Sequence, residues 1–169
     1  MSEQGRKVVI VGAGPAGLMA ALHAAKEGAN VTVLEHSKHA CLKLGITGKG
    51  RCNVTNARPM AEFREKVPQG FDFLQPAFAY YSNVALRSEL ERMGVPTLVE
   101  RGDRVYPSNG DAQTVRRALI GAAQGAGVQL RTDVHDVEVL RDGTNFAVHF
   151  SDARGSWCAE RGSALLLAT

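Results

Sequence analysis

The stretch "KVVIVGAGPAGLMAALHAAKEGANVTVLE", residues 7–35, decides the fold. Its β-branched residues 7–11 predict a buried strand that ends at the glycines of "GAGPAG". Residues 16–27 are rich in Ala and Leu and predict a helix, which Gly28 closes at a position that favours glycine. "NVTVLE" predicts a second buried strand. A strand, a helix and a strand in this order form a β-α-β unit, which builds a parallel sheet.

The turn after the first strand carries glycines in the G-x-G-x-x-G spacing, at Gly12, Gly14 and Gly17. The first glycine permits the tight turn, the second lets the backbone approach a pyrophosphate, and the third lets the helix pack closely on the strand. Glu35 ends the second strand, where a carboxylate accepts hydrogen bonds from a ribose diol. Because strand, helix and acid are all in place, the sequence predicts a dinucleotide site with an adenosine diphosphate half.

The middle of the chain, from about residue 36 to 110, is less regular and is interpreted as an insertion. "SNVALRSELERMG", residues 82–94, predicts a helix, and "VPTLVE", residues 95–100, predicts a short strand. Residues 107–110 are expected to be a loop. "DAQTVRRALIGAAQGAG", residues 111–127, predicts a second helix with Asp111 in the capping position.

The C-terminal part predicts a small antiparallel meander. "VQLRT" is a predicted strand, "VHDVEVLRDGTNFAVHFSD" predicts two strands around the turn "RDGTN", and a third lies near "WCAE". "SALLLAT", residues 163–169, predicts a further buried strand. The predicted fold class is therefore α/β: a Rossmann-like parallel sheet with a β-α-β dinucleotide-binding unit and a small β-meander. We expect the fold to be incomplete at Thr169, because a strand that points toward a ligand site is normally followed by a loop and a helix.

Composition limits the partners. The net charge is +3 and aromatic residues make up 6% of the chain, with Lys and Arg scattered, so no basic stripe with stacking residues indicates a nucleic-acid partner. Three cysteines without a C-x-x-C pair indicate reduced thiols and a cytoplasmic location. No apolar run approaches the roughly 20 residues of a membrane span. A small-molecule substrate is the expected partner.

A second stretch, "LGITGKGRCNVTN", residues 44–56, has several possible interpretations. Its glycines do not have Walker A spacing, and Asn53-Val54-Thr55 matches a glycosylation signal that a cytoplasmic protein does not use. The nearby candidate ligands have none of the usual metal-site spacings; they are His36, His39, Cys41 and Cys52. Cys52 lacks a neighbouring partner cysteine, so a packing role is favoured over a redox role.

The combination of "GAGPAG", "LKLGITGKGRCNVTN", "DRVYP" and "LLLAT" resembles a bacterial family of NAD(P)/FAD-dependent oxidoreductases. That family is described as BaiN-like flavoproteins or aminoacetone-oxidase-type enzymes, and it is similar to the flavoproteins of the glutathione reductase type. The resemblance implies that the loop lies against FAD, that its residues line the cofactor, and that Val134 offers backbone groups to the adenine. It also implies that a substrate domain and a closing segment of the FAD domain come after this portion.

The sequence thus predicts that residues 1–169 are the N-terminal part of an FAD-binding domain. The whole protein is expected to be a flavin-dependent oxidoreductase that transfers a hydride or electrons between the flavin and a nicotinamide or small organic substrate, with NAD(P)H as candidate donor. This portion alone is expected to be inactive, and no catalytic residue is predicted in it. The alternative is an NAD-binding or non-catalytic Rossmann module. The predicted cofactor-binding residues are Gly12, Gly14, Pro15, Ala16, Gly17, Glu35, His36, Lys43, Gly50, Arg51, Cys52, Asn53, Val134, Ala168 and Thr169.

Overall fold

The computed structural model describes residues 5–169, so the first four residues of the predicted domain lie outside the described residues. The strands are β1 (Lys7–Val11), β2 (Asn30–Leu34), β3 (Thr55–Asn56), β4 (Thr97–Glu100), β5 (Arg104–Pro107), β6 (Gln129–Arg131), β7 (His135–Asp142), β8 (Asn145–Ser151), β9 (Trp157–Gly162) and β10 (Ala164–Leu167). The α-helices are α1 (Pro15–Lys26), α2 (Met60–Lys66), α3 (Phe71–Tyr80), α4 (Asn83–Arg92) and α5 (Ala112–Gly125). Residues 43–50 form 3₁₀ turns with an interruption at residues 47–49.

The chain divides into two compact units. The first contains the described residues up to Leu44 together with Leu119–Thr169, and the second is Gly45–Ala118. The boundary falls within α5, whose N-terminal half belongs to the second unit and whose C-terminal half belongs to the first. The predicted arrangement of one domain with an insertion stays a prediction.

A four-stranded parallel sheet forms the centre of the first unit, with strand order β10-β1-β2-β6. The predicted β-α-β unit is confirmed, since β1 and β2 pair in parallel and α1 connects them. Strand side chains such as Val9, Ile10 and Val33 are almost completely buried. The buried side of α1, which includes Leu18 and Leu22, packs against β1 and β2.

The predicted meander is confirmed as the antiparallel sheet β7-β8-β9. Val148 and Phe150 of β8 join Val9 and Leu34 of the parallel sheet in one hydrophobic cluster. Buried Glu160 on β9 forms ion pairs with two residues of the parallel sheet. Its carboxylate lies 3.1 Å from Nζ of Lys7 on β1 and 2.8 Å from Nη2 of Arg131 on β6. The meander is therefore held on the sheet by both apolar and ionic contacts, and the predicted α/β fold class is confirmed.

The returning strand β10 pairs in parallel with β1, as expected for this fold. The prediction that it is buried is wrong, because Leu166 and Leu167 are 39% and 64% exposed. The reason is its position: β10 is the edge strand of its sheet and has a neighbouring strand on one side only. An apolar run does not by itself distinguish a central strand from an edge strand.

The second unit contains α2, α3, α4 and the antiparallel sheet β3-β5-β4. The predicted helix α4 and strand β4 are confirmed, and the Ser82 hydroxyl caps α4 by accepting a hydrogen bond from the Ala85 N–H at 3.2 Å. Helices α2 and α3 were not predicted from the sequence; neither buries a residue, and α3 contains Pro76. Pro107 was predicted to lie in a loop, whereas it ends β5. Across the described residues, no helix is both long and apolar enough for a membrane crossing.

Candidate functional site

The turn between β1 and α1 depends on its glycines. A Cβ atom on Gly12, whose φ is +106°, would lie 2.4 Å from the carbonyl oxygen of Ala168, so only glycine fits beside the end of β10. A Cβ atom on Gly17 would lie 2.0 Å from the carbonyl oxygen of Gly12, which explains how α1 packs so closely on this turn. At Gly14, by contrast, no atom lies within 4 Å of the added Cβ. The backbone at the N-terminus of α1 is therefore open to a close-approaching group.

Glu35 follows β2 and points its buried carboxylate toward this turn. Oε2 accepts a hydrogen bond from the Ala13 N–H at 2.8 Å, and Oε1 accepts one from the Ser37 N–H at 2.9 Å. Nδ1 of His36 lies 3.1 Å from Oε1. Burial raises the pKa of Glu35, but the two backbone hydrogen bonds and the neighbouring His36 outweigh burial and lower the pKa below its usual value. The side chain is therefore an ionised, acceptor-only group at neutral pH.

A cavity of about 550 Å³ lies over the turn, entirely within the first unit. Nine of the predicted cofactor-binding residues line it: Gly12, Gly14, Pro15, Glu35, His36, Lys43, Val134, Ala168 and Thr169. Its other lining residues are Val11, Leu34, Ser37, Cys41, Leu42, Leu44 and Val137. The N–H of Val134 already donates to the carbonyl of Glu35 at 3.0 Å. The walls are mostly aliphatic, with one carboxylate among them, which suits a flat base joined to a ribose.

Cys41 also lines this cavity, although the sequence indicated it only as a reduced thiol and a candidate metal ligand. Its backbone has a left-handed conformation, with φ of 56°, and its N–H donates to the carbonyl of Ala13 at 2.9 Å. This bond holds the segment after β2 against the glycine turn. No sequence pattern indicated that role, because the left-handed region is normally occupied by glycine. Ser37, two residues after Glu35, could have been suspected from its position at the strand end.

The motif loop of the second unit, residues 47–56, has an unusual backbone. Gly48, Lys49 and Gly50 all have positive φ angles, as does Cys52. Backbone hydrogen bonds close the turn, from the Arg51 N–H to the Gly48 carbonyl at 3.2 Å and from the Cys52 N–H to the Thr47 carbonyl at 3.0 Å. The side chain of Cys52 is buried, and burial raises the pKa of its thiol. This environment is consistent with the predicted packing role.

Arg51 is oriented by two neighbours in the same unit. Its guanidinium carbon lies 4.5 Å from the centre of the Tyr106 ring, and Nη2 donates to Oε1 of Glu100 in an ion pair. The hydrogen bond to Glu100 raises the pKa of Arg51. With the Asn53 amide oriented to satisfy its neighbours, its nitrogen donates to the carbonyls of Thr55 and Val105, at 3.0 and 3.2 Å.

The loop and the "DRVYP" hairpin support each other. Thr55 of β3 pairs with Val105 of β5, and the Val54 N–H donates to the Val105 carbonyl at 2.8 Å. Buried Asn83 at the start of α4 donates to the carbonyls of Asn56 and Arg58, at 2.7 and 2.9 Å. These contacts join the two sequence stretches within one unit, so that each stretch supports the other.

The predicted site residues thus divide into three groups. Nine line the cavity, and Ala16 and Gly17 lie in α1 outside its lining. The remaining four, Gly50, Arg51, Cys52 and Asn53, belong to the second unit. Contact of any of these residues with a cofactor stays a prediction.

Comparison with known proteins extends these observations. A ribosomal RNA dihydrouridine synthase from Haemophilus influenzae is 30% identical over 136 residues, which are 79% of this chain and 33% of that protein. Protein FixC from Escherichia coli K12 is 34% identical over 148 residues, which are 85% of this chain and 32% of that protein. The solved structure of a flavoprotein/dehydrogenase from Cytophaga hutchinsonii is 18% identical, with a TM-score of 0.51, and covers 97% of this chain and 39% of that one. At that identity the structural likeness bears on the fold alone.

The chain spans about a third of the length of the curated relatives it matches. Residues 6–169 match the family described as HI0933-like protein Rossmann domain. The match covers the glycine turn, Glu35, the motif loop and the returning strand. This chain therefore belongs to the HI0933-like Rossmann-domain family.

Proposed function

We propose that this chain is the FAD-binding portion of a flavin-dependent oxidoreductase of the BaiN-like, aminoacetone-oxidase type. The observation that carries the proposal is the ionised Glu35 carboxylate beside the Gly12–Gly14 turn, in one largely aliphatic cavity. The carboxylate would accept hydrogen bonds from the ribose of an adenosine diphosphate group, and the open backbone at Gly14 would admit its phosphates. Aliphatic walls that include Val134 and Leu42 would enclose the base.

FAD is favoured over NAD by the elements that come after the first β-α-β unit. The meander β7-β8-β9 leads into β10, whose continuation, Ala168 and Thr169, lies beside Gly12 and lines the cavity. This order of elements is the one expected of flavoproteins similar to glutathione reductase. One protein of similar fold is itself described as a flavoprotein/dehydrogenase.

This assignment gives the flavin and the protein chain separate roles. The flavin would supply hydride or electron transfer, with NAD(P)H as donor and a small organic molecule as partner, and this chain would bind and orient the adenosine half of the cofactor. Among the described residues none of the three cysteines forms a disulfide, which suits a cytoplasmic protein. The curated relatives are about three times as long as this chain. The residues that contact the substrate would therefore lie outside this chain in a longer protein.

A second candidate has a specific observation in its favour. The Haemophilus influenzae relative is described as a ribosomal RNA dihydrouridine synthase, and its identity to this chain is 30%. Dihydrouridine carries two more hydrogens than uridine, so a reduced flavin is a chemically suitable source of hydride. In this case the substrate would be a uridine in RNA, contrary to the expectation of a small-molecule partner.

The first experiment is the visible absorption spectrum of the purified chain, with identification of any pigment released on denaturation. A flavin spectrum and released FAD, or saturable quenching of added FAD fluorescence, would support the proposal. A chain that binds NADH and not FAD would overturn it. The two candidate reactions are then distinguished with a longer protein that contains this chain, after FAD has been bound and NAD(P)H added. Formation of dihydrouridine in ribosomal RNA would favour the second candidate. Turnover with small molecules alone would favour the first.

A further inference from the structure

A second cavity, of about 260 Å³, lies entirely within the second unit. Residues of β3, of α2 and of the turn between β4 and β5 line it: Asn56, Arg58, Glu62, Phe63, Lys66 and Gly102. None of the predicted cofactor-binding residues is among them. The cavity is therefore a candidate site separate from the one over the glycine turn.

Hydrogen bonds fix the polar residues of this cavity in place. Nε of Arg58 donates to Oδ2 of Asp103 at 3.1 Å, and the Arg58 N–H donates to Oδ1 of Asn56 at 2.9 Å. Nδ2 of Asn56 donates to the carbonyl of Gly102 at 2.9 Å. The β3 end, the start of α2 and the turn are thus joined, and a ligand would meet a largely preformed wall.

Positive charge surrounds the cavity. Arg58 and Lys66 line it, and two exposed arginines, Arg101 and Arg104, flank the turn that closes it. The two carboxylates that pair with Arg58, at 3.1 and 3.6 Å, offset only half of this charge. Lys and Arg are scattered in the sequence, but the fold brings these four together at one place.

The charge of the chain is also unevenly divided between the two units. Residues 45–118 contain eleven Lys and Arg and eight Asp and Glu, a net charge of +3. That equals the net charge of the whole chain, so the unit that contains the glycine turn is neutral overall. An excess of positive charge confined to one unit favours an anionic partner for that unit.

The cavity also contains an aromatic ring. Phe63 lines it and packs edge to face with Phe78, with 5.8 Å between the ring centres and 70° between the ring planes. A nucleotide combines a phosphate, which Lys and Arg bind, with a flat base that stacks on aromatic side chains. We propose that this cavity binds one nucleotide, with the base against Phe63 and the phosphate held by Arg58 and Lys66.

A nucleotide within single-stranded RNA fits this surface better than a free nucleotide. The positive charge continues beyond the cavity to Arg101 and Arg104, where the next phosphates of a strand would lie. Where the nucleotide belongs to RNA, this inference rests on the second candidate for the proposed function.

The location is tested with the wild-type chain and a short oligouridine that contains 4-thiouridine. Irradiation joins the thio base to residues in contact with it, and mass spectrometry of the digested chain identifies the crosslinked peptide. We expect the crosslink within residues 58–66 or 101–104. Crosslinks confined to other residues, or the absence of any crosslink, overturn the inference. No variant is involved, so the result does not depend on the folding of a mutant.

The phosphate contact is tested by fluorescence anisotropy of a labelled oligouridine at several salt concentrations. Lys66→Gln removes one phosphate contact and should reduce the slope of log Kd against log salt concentration by about 0.7. Lys26→Gln is the matched control, because Lys26 is also an exposed lysine in the last turn of a helix, and it should leave the slope unchanged. Equal slopes for the two variants overturn the inference.

The stacking contact is tested with Phe63→Leu, which should weaken oligouridine binding about fivefold or more, and Phe63→Tyr, which keeps the ring and should bind as the parent does. Because Phe63 also packs on Phe78, competition against the wild-type chain gives a second measurement. Inorganic polyphosphate of matched charge should displace the labelled strand less well than unlabelled oligouridine does. Equal displacement overturns the inference, since charge alone would then explain binding.

The source of the nucleotide and the fate of the proposed function are separable. UMP should compete at least about tenfold more weakly than oligouridine, since it offers one phosphate; equal competition assigns the site to a free nucleotide. FAD binding is measured independently, from flavin fluorescence. If the crosslink lies at this cavity and FAD does not bind, the proposed function fails and the nucleotide site stands. If FAD binds and no crosslink forms here, the nucleotide site fails and the proposed function stands.

Discussion

The Glu35 carboxylate lies 2.8 Å from the N–H of Ala13, although 22 residues separate them in sequence. This hydrogen bond joins the end of β2 to the glycine turn that follows β1, so the acid and the turn have fixed positions relative to each other. The Ser37 N–H holds the other carboxylate oxygen. Two backbone donors thus orient the carboxylate before any ligand arrives, which lowers the entropic cost of binding.

Replacement of Glu35 by Gln should weaken binding of FAD or ADP by about 10- to 100-fold, the scale of a lost charged hydrogen bond. The amide has one acceptor where the carboxylate has two, and its NH₂ group would face a backbone donor. The measurement is a fluorescence or calorimetric titration. Glu138→Gln, on the exposed strand β7 outside the cavity lining, is the matched control and should leave the Kd unchanged. Equal Kd values for both variants would remove Glu35 from the ribose site.

The stability of the chain should decrease at acidic pH partly through Glu35. Its folded-state pKa is lowered below 4.5, so the unfolded chain binds more protons than the folded chain in the window between the two pKa values. The contribution to the free energy of unfolding is therefore complete above the unfolded pKa and is lost as the pH falls through the folded pKa. Thermal unfolding between about pH 3 and 7 measures it, and Glu35→Gln should have a flatter profile. Parallel profiles would contradict this assignment.

Two glycines of the turn should respond differently to alanine. Gly12→Ala places a Cβ 2.4 Å from a backbone oxygen and forces a non-glycine residue to a φ of +106°. It should lower the free energy of unfolding by about 2 kcal/mol or more. Gly14→Ala meets no atom within 4 Å and has a φ of −70°, which alanine readily adopts. Its cost as a helix N-cap should stay below about 1 kcal/mol.

The same Gly14→Ala variant should nevertheless weaken FAD binding, because the new methyl group occupies the space that a pyrophosphate needs. Denaturant unfolding and FAD titration of both variants separate the two roles. A Gly14→Ala chain that binds FAD as tightly as the parent would place the phosphates elsewhere.

Asn83 should stabilise the second unit through its amide donors. Asn83→Asp keeps the size of the side chain but removes the donors to the carbonyls of Asn56 and Arg58. It should cost about 2 kcal/mol, even though an acid is favourable in the first turn of a helix. Denaturant unfolding at neutral pH gives the value. Ser88→Asp, on the same helix, tests whether an added charge is itself disruptive, and a fully stable Asn83→Asp would show that the two hydrogen bonds are dispensable.

Much of the first unit could be predicted from short-range patterns. The boundaries of β1, α1 and β2 follow from β-branched runs, an Ala-rich run and glycine positions, and the structure places them within a residue or two. In the second unit, the capping role of Asp111 was also predicted, and its Oδ1 accepts from the Gln113 N–H at 2.9 Å. These features depend on neighbouring residues, so the sequence alone contains the required information.

Features that depend on contacts between distant residues were predicted less well, in both units. Helices α2 and α3 were not predicted; neither buries a residue, and α3 contains Pro76, which a sequence pattern treats as a helix breaker. The exposure of β10 depended on which strand became the sheet edge, and no local feature of "ALLL" encodes that. The role of Cys41 required knowledge of a contact with Ala13.

The sequence by itself determined that a glycine turn, a helix and an acidic strand end form a dinucleotide-binding unit, because glycine spacing and strand periodicity are local properties. Only the tertiary structure decided that the Glu35 carboxylate is held by the Ala13 N–H and that the segment after β2, Val134 and Thr169 share one cavity. It alone revealed that Arg51 is paired with Glu100 and stacked on Tyr106. Those relationships join residues far apart in the chain, and they follow from how strands pair and pack rather than from any one segment.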